Sequence, residues 1–498
     1  MLRADSPSEV ERGSDQLRHQ AVHGVAWSGV EGLAGQVISF LVFIVLARFL
    51  SSRDFGIVAI ANLYVLVAQF FVFQGLGQAI IQFKDLDEQH LDTVFWINMS
   101  VGILILIATN IVAGPVAAWF GMSGLAAILR GLSPIFFLAA LTDVQNNLLS
   151  RQLQFRALAL RTLSSYFAGG VVGIALAWRG AGAWSLVGQQ LTIWVVNLVA
   201  LWTASSWRPG FVFSPPRARR LLGFGVKLLW VDLTGLLNRR SDQLFVGKFL
   251  GAAEVGFYAV GARVATLLSE VLIRSLARVS VSALSRLQDQ KERFAAAFYQ
   301  IVEMQSVMVL PATAGLALLA PDVVHLFFGA KWQASIPIMQ TLLLACPFEA
   351  LSAIHQSSLV ARGRPEWCSV LVTVHAAANI LAFAVAIHWG ALAVAAAFSL
   401  RAALMYPIEL NVLRRVAGIS VLKTLGLFLP QLLAVLAMAA VVYCARVQWQ
   451  ALTASLRLAT LILVGAFSYA AVLQLLNRRV SLELWSYCAL VCSRSAVR

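Results

Sequence analysis

Charge is what this chain most lacks. Only 12% of its 498 residues are Asp, Glu, Lys or Arg, whereas 60% are hydrophobic and mean hydropathy is +0.80. So few charges cannot cover the surface of a soluble domain, which leaves a multi-span membrane protein. Cysteine is scarce too. Cys346, Cys368, Cys444, Cys488 and Cys492 form no CxxC pair, which removes zinc ribbons and thioredoxin-like redox sites. Cys488 and Cys492 share a helix face, but two thiols without further ligands make no metal centre. No glycine-rich phosphate loop with its lysine occurs, so ATP hydrolysis is unsupported. Alternating strands of the kind a membrane barrel needs are missing. Acids are the minority charge, with 23 against 38 Lys and Arg and a net charge of +15.

What is present is a series of apolar segments, about fourteen, each of helix-spanning length. They begin near Ala26, Phe55, Val94, Gly124, Leu158, Gly182, Leu222, Gly256, Ala297, Ala334, Trp367, Ala391, Leu425 and Ala454. Alternate loops sort by charge. Arg151, Arg156, Arg161, Arg208, Arg217, Arg219 and Arg220 fall on one side with Arg274, Arg278, Arg286, Lys291 and Arg293. The opposite loops hold little more than Arg48, Arg53, Arg179, Lys248, Lys331 and Arg446. The bias is roughly four to one, which makes the richer side cytoplasmic and, with an even span count, puts both termini there. Topology therefore accounts for the positive charge without nucleic acid. The first twenty residues are polar, and the apolar run after them is too long for a cleaved leader, so it reads as an uncleaved first span.

The chain also repeats itself. Leu33, Gly35, Arg48, Phe49, Leu50, Asp54, Gly56 and Ala59 meet Leu233, Gly235, Lys248, Phe249, Leu250, Glu254, Gly256 and Ala259 at an offset of 200. Pro115 and Gly121 answer Pro321 and Gly329, and Gly182-Ala183 answers Gly390-Ala391. Six spans per unit is an even number, so the units share one orientation. The expected fold is an all-α membrane protein of about 14 transmembrane helices. Two parallel-repeat six-helix lobes would surround a central cavity, with two C-terminal helices appended. The expected organisation is a cytoplasmic tail over 1–20, an N-lobe over 21–204, a cytoplasmic linker over 205–221 and a C-lobe over 222–416. Spans thirteen and fourteen follow over 417–477, then a tail over 478–498 that is amphipathic enough to lie on the membrane. The basic stretch Arg274 to Arg293 invites the same reading.

Ionised groups inside a membrane face protein or water rather than lipid. Asp232, Gly235, Arg239 and Asp242 share one face of the seventh span. At 1.5 Å per residue, Arg239, Arg263, Arg130 and Arg401 come out in the outer half of four different spans. Guanidinium groups there suit a phosphorylated substrate. The alternative is snorkelling to outer head groups or local pairing with Asp232 and Asp242, and it weighs less for Arg239 and Arg263, where two adjacent spans agree in depth. Asn62 and Gln69 are candidates for sugar hydroxyls, or ordinary interhelical amides. Glu31 and Asp232 are candidates for a coupling proton or cation. Asp143 reads as marking the inner end of span four, while His355 and His375 read as structural and Glu303 and Glu349 as partners of basic loops.

With the repeat in place, ARFLSSRDFGIVAIA, GLGQAIIQ, VFWINMSVG, SRQLQFRALALR, GAWSLVGQQ, LFFGAKW and SLVARGRP become recognisable. The chain resembles the oligosaccharide flippases of the multidrug/oligosaccharidyl-lipid/polysaccharide exporter superfamily, in its polysaccharide transport branch of the Wzx and WzxC type. The likeness covers about residues 20 to 480. It implies alternating access of two lobes and movement of an undecaprenyl-pyrophosphate-linked glycan to the outer leaflet of a bacterial inner membrane, for exopolysaccharide, O-antigen or capsule assembly. It also implicates Glu31, Asn62, Gln69, Asp232, Arg239 and Arg263 in the cavity. Membrane lipids, and polymerase or export proteins of the same pathway, are the expected partners. No cofactor is implied beyond coupling to a proton or sodium gradient. Two other functions compete. A drug/cation antiporter of the same superfamily would favour an acidic cavity. A glycan polymerase or ligase would need outer loops gathering His, Asp and Glu, and no outer loop exceeds about fifteen residues or gathers them. The chain is therefore expected not to be an enzyme.

Overall fold

The computed structural model describes residues 7–73, 76–82, 87–449 and 451–478, apart from side chains in short stretches, chiefly 7–23, 220–232 and 273–283. All the regular structure among these residues is helical. In the first half lie α1 (Pro7–Phe49), α2 (Ser52–Phe73), α3 (Leu76–Gln82), α4 (Glu88–Phe120), α5 (Leu125–Leu132), α6 (Pro134–Arg151), α7 (Phe155–Trp178) and α8 (Trp184–Ala204). Then come α9 (Pro215–Leu250), α10 (Ala252–Ser285), α11 (Lys291–Leu318), α12 (Ala320–Val323), α13 (Ser335–Ala361), α14 (Pro365–Ala386) and α15 (Ala391–Ala417). The chain closes with α16 (Val421–Gly426), α17 (Leu429–Gln448) and α18 (Ala454–Leu476).

Among the described residues, 12 helical segments are long and apolar enough to cross a membrane, which makes this a multi-pass membrane protein. The expected seventh and eighth spans fall on α9 and α10. These are helices of 36 and 34 residues whose charges and partly undescribed side chains set them apart from the twelve. The polar stretch expected as an N-terminal tail is helical from Pro7 onward and continuous with the first span. The proposed surface helix after residue 478 lies outside the described residues.

The helices form two compact units, residues 1–240 with 247–256, and residues 241–246 with 257–498. In the first, α7 packs on α1 and α8, and α4 packs on α6. The segment expected as a linker is pinned to α4. Trp96 Nε1 donates to the Gly210 carbonyl at 2.8 Å, Gly210 N donates to Asp92 at 2.9 Å, and Arg217 pairs with Asp87 at 2.7 Å. In the second unit, α13 packs on α11 and α15, and α17 packs on α18. The two appended helices are tied in by ions: Asp322, 5% exposed, receives Arg457 at 2.7 Å and Arg446 at 3.2 Å.

The repeat read from the sequence has a physical basis in glycine. The starts of α2 and α10 cross with backbones in contact. A Cβ on Gly56 would overlap the Ala252 carbonyl, and one on Gly256 would overlap that of Ser52. Each glycine meets the residue four positions before its counterpart, so the crossing is reciprocal. Two further matched pairs, Gly121 with Gly329 and Gly182 with Gly390, adopt positive φ, which L side chains avoid. Element bounds repeat as well: α2 starts at 52 and α10 at 252, α7 at 155 and α14 at 365, α8 at 184 and α15 at 391.

Candidate functional site

Buried polar groups gather at one place in the second unit. Three neighbouring spans, α13, α14 and α15, supply them, and Glu409 of α15 is the centre, only 2% exposed. It accepts from Ser352 Oγ at 2.7 Å and meets His355 Nδ1 at 2.7 Å. His375 Nε2 lies 2.8 Å from its other face. On α15 two turns earlier, Arg401 donates to His375 Nδ1 at 2.8 Å and to Glu349 Oε1 at 3.0 Å. The guanidinium also sits over the Phe398 ring, 4.8 Å from its centroid. Aromatic rings wall the cluster: His355 lies between Phe298 and Tyr406, stacked on both. Breaking such a set by removing one charge costs about 3–5 kcal/mol, because the remaining charges stay buried and uncompensated.

Beside this cluster is a cavity of about 260 Å³ lined by Gln305, Ser306, Pro347, Leu351, Tyr406 and Phe428. Two polar atoms buried in its walls, Gln305 Oε1 and Tyr406 Oη, have no protein partner. A second cavity, about 540 Å³, lies among α11, α17 and α18 and has no charged side chain in its lining.

The first unit carries two smaller polar groups. Glu31 of α1 accepts from Thr162 Oγ1 at 2.6 Å and pairs with Arg161 at 3.3 Å, while Arg161 also reaches Asn146 at 2.5 Å. Deeper in the same unit, Asp143 of α6 is buried and held by amides, accepting from Asn98 Nδ2 at 2.8 Å and Asn147 Nδ2 at 2.9 Å. It does not mark the end of its helix, which runs on to Arg151, about 12 Å further at 1.5 Å per residue.

The structure gives the residues singled out from the sequence separate environments. Arg401 is engaged by His375 and Glu349, the locally paired arrangement that the sequence left open. Arg130 is exposed on α5, with Nε 3.4 Å from the Asn110 carbonyl. Arg239, exposed and in the first unit, folds its guanidinium back over Gly235, where a Cβ would stand 3.3 Å from it. Arg263 is half-buried on α10 in the second unit. Asn62 Oδ1 accepts from Gln190 at 2.7 Å and so joins α2 to α8, while Gln69 is half-buried on α2. Asp232 lies outside the described side chains. Asp242, on the same predicted face, accepts from Tyr258 Oη at 2.7 Å. Sequence reasoning missed Glu409 altogether and dispersed its partners among structural roles. The available signal was an excess of His, Glu and Arg in three consecutive spans, where each ionisable group requires a partner.

Membrane-length helices in two like-ordered series, with ionisable clusters buried inside each unit, define a polytopic membrane protein. A fold of this kind is found in the lipid II flippase MurJ in its inward closed conformation. The TM-score is 0.74 at 14% identity, covering 91% of this chain and 99% of that one. Sequence carries the assignment further: the chain belongs to the family described as polysaccharide biosynthesis protein, which matches residues 45–337. The succinoglycan biosynthesis transport protein ExoT of Rhizobium meliloti (strain 1021) is 27% identical over 64% of this chain and 65% of its own length. The lipopolysaccharide biosynthesis protein WzxC of Escherichia coli (strain K12) is 25% identical over 70% and 71%. The chain thus spans just under two thirds of ExoT and somewhat more of WzxC.

Proposed function

We propose that this protein is an alternating-access flippase that carries a polyprenyl-diphosphate-linked oligosaccharide from the cytoplasmic to the outer leaflet of a bacterial inner membrane. The observation that supports it most is the family match over residues 45–337, joined to relatives named for transport in polysaccharide assembly. The chemistry agrees. A lipid-linked diphosphate is an anion with an apolar tail, so its carrier needs guanidinium groups within apolar helices. By sequence position, Arg239 and Arg263 are the groups assigned to the diphosphate, with Arg130, Asn62 and Gln69 as further contacts. Both termini are assigned to the cytoplasm from the loop charges. Transport is coupled to an ion gradient.

The test is a leaflet assay in a strain lacking the gene and complemented with variants. Arg239→Ala with Arg263→Ala is expected to reduce outer-leaflet lipid-linked glycan about tenfold or more, equivalent to about 1.4 kcal/mol of lost transition-state or binding energy. Normal outer-leaflet levels would overturn the assignment of these arginines. Uptake of cationic dyes by vesicles, with no glycan movement, would favour the drug/cation antiporter instead.

A further inference from the structure

We propose that the Glu409 cluster is a one-proton binding site, and that the ion coupled to transport is a proton taken up between His355 and Glu409. The coupling half of this inference rests on the transport reading above; the proton site does not.

Arg401 donates to His375 Nδ1 at 2.8 Å, so that nitrogen must offer a lone pair and the ring's hydrogen is on Nε2, which lies 2.8 Å from Glu409 Oε1 without completing a hydrogen bond to it. A second proton on His375 would set N–H against N–H. His375 is therefore held neutral. His355 places Nδ1 2.7 Å from Glu409, while its Nε2 is buried without a partner. With both imidazoles neutral, Arg401, Glu349 and Glu409 sum to one net negative charge inside a span. One proton on the His355–Glu409 pair brings the sum to zero. Low-polarity surroundings favour the neutral sum.

Among the described residues, three further elements bring side chains to these rings and their neighbours. From α11 comes the Phe298 ring, and the Glu303 carboxylate of that helix accepts from Asn477 at 2.8 Å. From α16, Lys423 lies over the Tyr299 ring, 4.5 Å from its centroid. From α17, Phe428 packs on Tyr406.

Access for the proton has a structural counterpart. Tyr406 both stacks on His355 and lines the 260 Å³ cavity. There its hydroxyl and Gln305 Oε1 are the unmet polar atoms. At the opposite end Glu349, with 36% of its side chain exposed, is the open member of the Arg401 pair.

The site is tested on the full chain in lipid nanodiscs with ¹⁵N-labelled histidine. The chain has 7 histidines, and His355→Gln and His375→Gln assign the two signals. Between about pH 5 and pH 9, His355 is expected to change protonation while His375 keeps one tautomer. Glu409→Gln is expected to abolish the His355 change. Glu349→Gln removes the most exposed member of the set, already brings the neutral-imidazole sum to zero, and is expected to reduce proton uptake. Two imidazoles that hold one form across the whole range would overturn the site.

Coupling is read separately, in proteoliposomes with an entrapped pH dye, using polyprenyl-diphosphate oligosaccharide extracted from membranes. Glycan-dependent proton movement that falls about tenfold in Glu409→Gln, with glycan binding retained, supports the coupling. Undiminished movement in that variant overturns it. A titrating His355 with no glycan moved by the wild-type chain would refute the flippase reading and leave the proton site standing.

Discussion

Asn98 and Asp143 in the first unit correspond, at one shared offset of 207, to Gln305 and Ala350 in the second. Both pairs join equivalent helices. Asn98 of α4 donates to the Asp143 carboxylate of α6 at 2.8 Å, and Gln305 of α11 donates to the Ala350 carbonyl of α13 at 2.9 Å. The geometry of the contact is preserved and its chemistry is not. In the first unit an amide solvates a buried carboxylate. In the second the carboxylate is gone from that position, and charge reappears one residue away at Glu349 and across the bundle at Glu409, now with imidazole and guanidinium partners. The repeat therefore keeps an amide donor bridging the two helices, while its acceptor changes from carboxylate to backbone carbonyl and ionisable groups are redistributed. Amides hold a carboxylate without contributing charge. Imidazoles and a guanidinium fix how many protons the whole set carries.

The largest effect is expected where the repeats are alike rather than different. Gly56→Val, or the matching Gly256→Val, places a branched side chain into the carbonyl of the opposing helix. No rotamer relieves a clash made by Cβ itself, so the crossing must open. The cost is expected to exceed about 3 kcal/mol, the upper end for overpacking. Loss of the folded, monodisperse protein in detergent, followed by fluorescence size exclusion and thermal scanning, is the readout. Unchanged thermal behaviour would mean that the reciprocal backbone contact is not made.

Next in size is the contrast between the two buried carboxylates. Glu409→Gln turns an acceptor-only group into one that presents an NH2 to donors from Ser352 and His355. The expected destabilisation is about 3–5 kcal/mol, the range for breaking a buried charge set. Asp143→Asn meets only amides, which reorient by exchanging their oxygen and nitrogen. Its expected cost is below about 1 kcal/mol. Thermal midpoints of the two variants, measured side by side in one detergent, check the order. Equal losses would show that amide and imidazole solvation are interchangeable here.

Much of this organisation was legible from residues alone, and the reason differs by feature. Apolar runs and loop charge report on the surrounding solvent, so the spans along the chain could be read without knowing any helix's neighbours. The repeat was legible because Gly56, Gly256, Gly182 and Gly390 are required by backbone contact or positive φ, which no other residue satisfies. The Glu409 cluster was not legible. His355, His375 and Glu349 are each unremarkable on their own helices. Only the relative rotation of α13, α14 and α15 brings the two imidazoles to Glu409 and Glu349 to Arg401, and sequence periodicity leaves that rotation open. Asp143 was misplaced for a related reason. The run Asp143 to Asn147 looks like the polar end of a span, but Asp143 is held by Asn98 of α4 and by Asn147, Asn146 accepts from Arg161 of α7, and the helix continues for two more turns.

The smallest effect is also the most direct measure of how far the repeat relation goes. Gln305→Asn with Ala350→Asp copies the first unit's pair into the second. Each single change is expected to destabilise: Ala350→Asp buries a carboxylate where no exposed surface remains, and Gln305→Asn shortens the reach to the α13 backbone. Together they restore an amide–carboxylate contact of the kind Asn98 makes with Asp143. The double variant is therefore expected to lose less than the sum of the single losses, by about 1 kcal/mol, the coupling typical of contacting residues. Volume and desolvation costs common to the singles cancel in the cycle, so the coupling isolates the pair. Strict additivity would mean that the shared offset aligns the residues without aligning their side chains, and that the two units solve the problem of a buried amide independently.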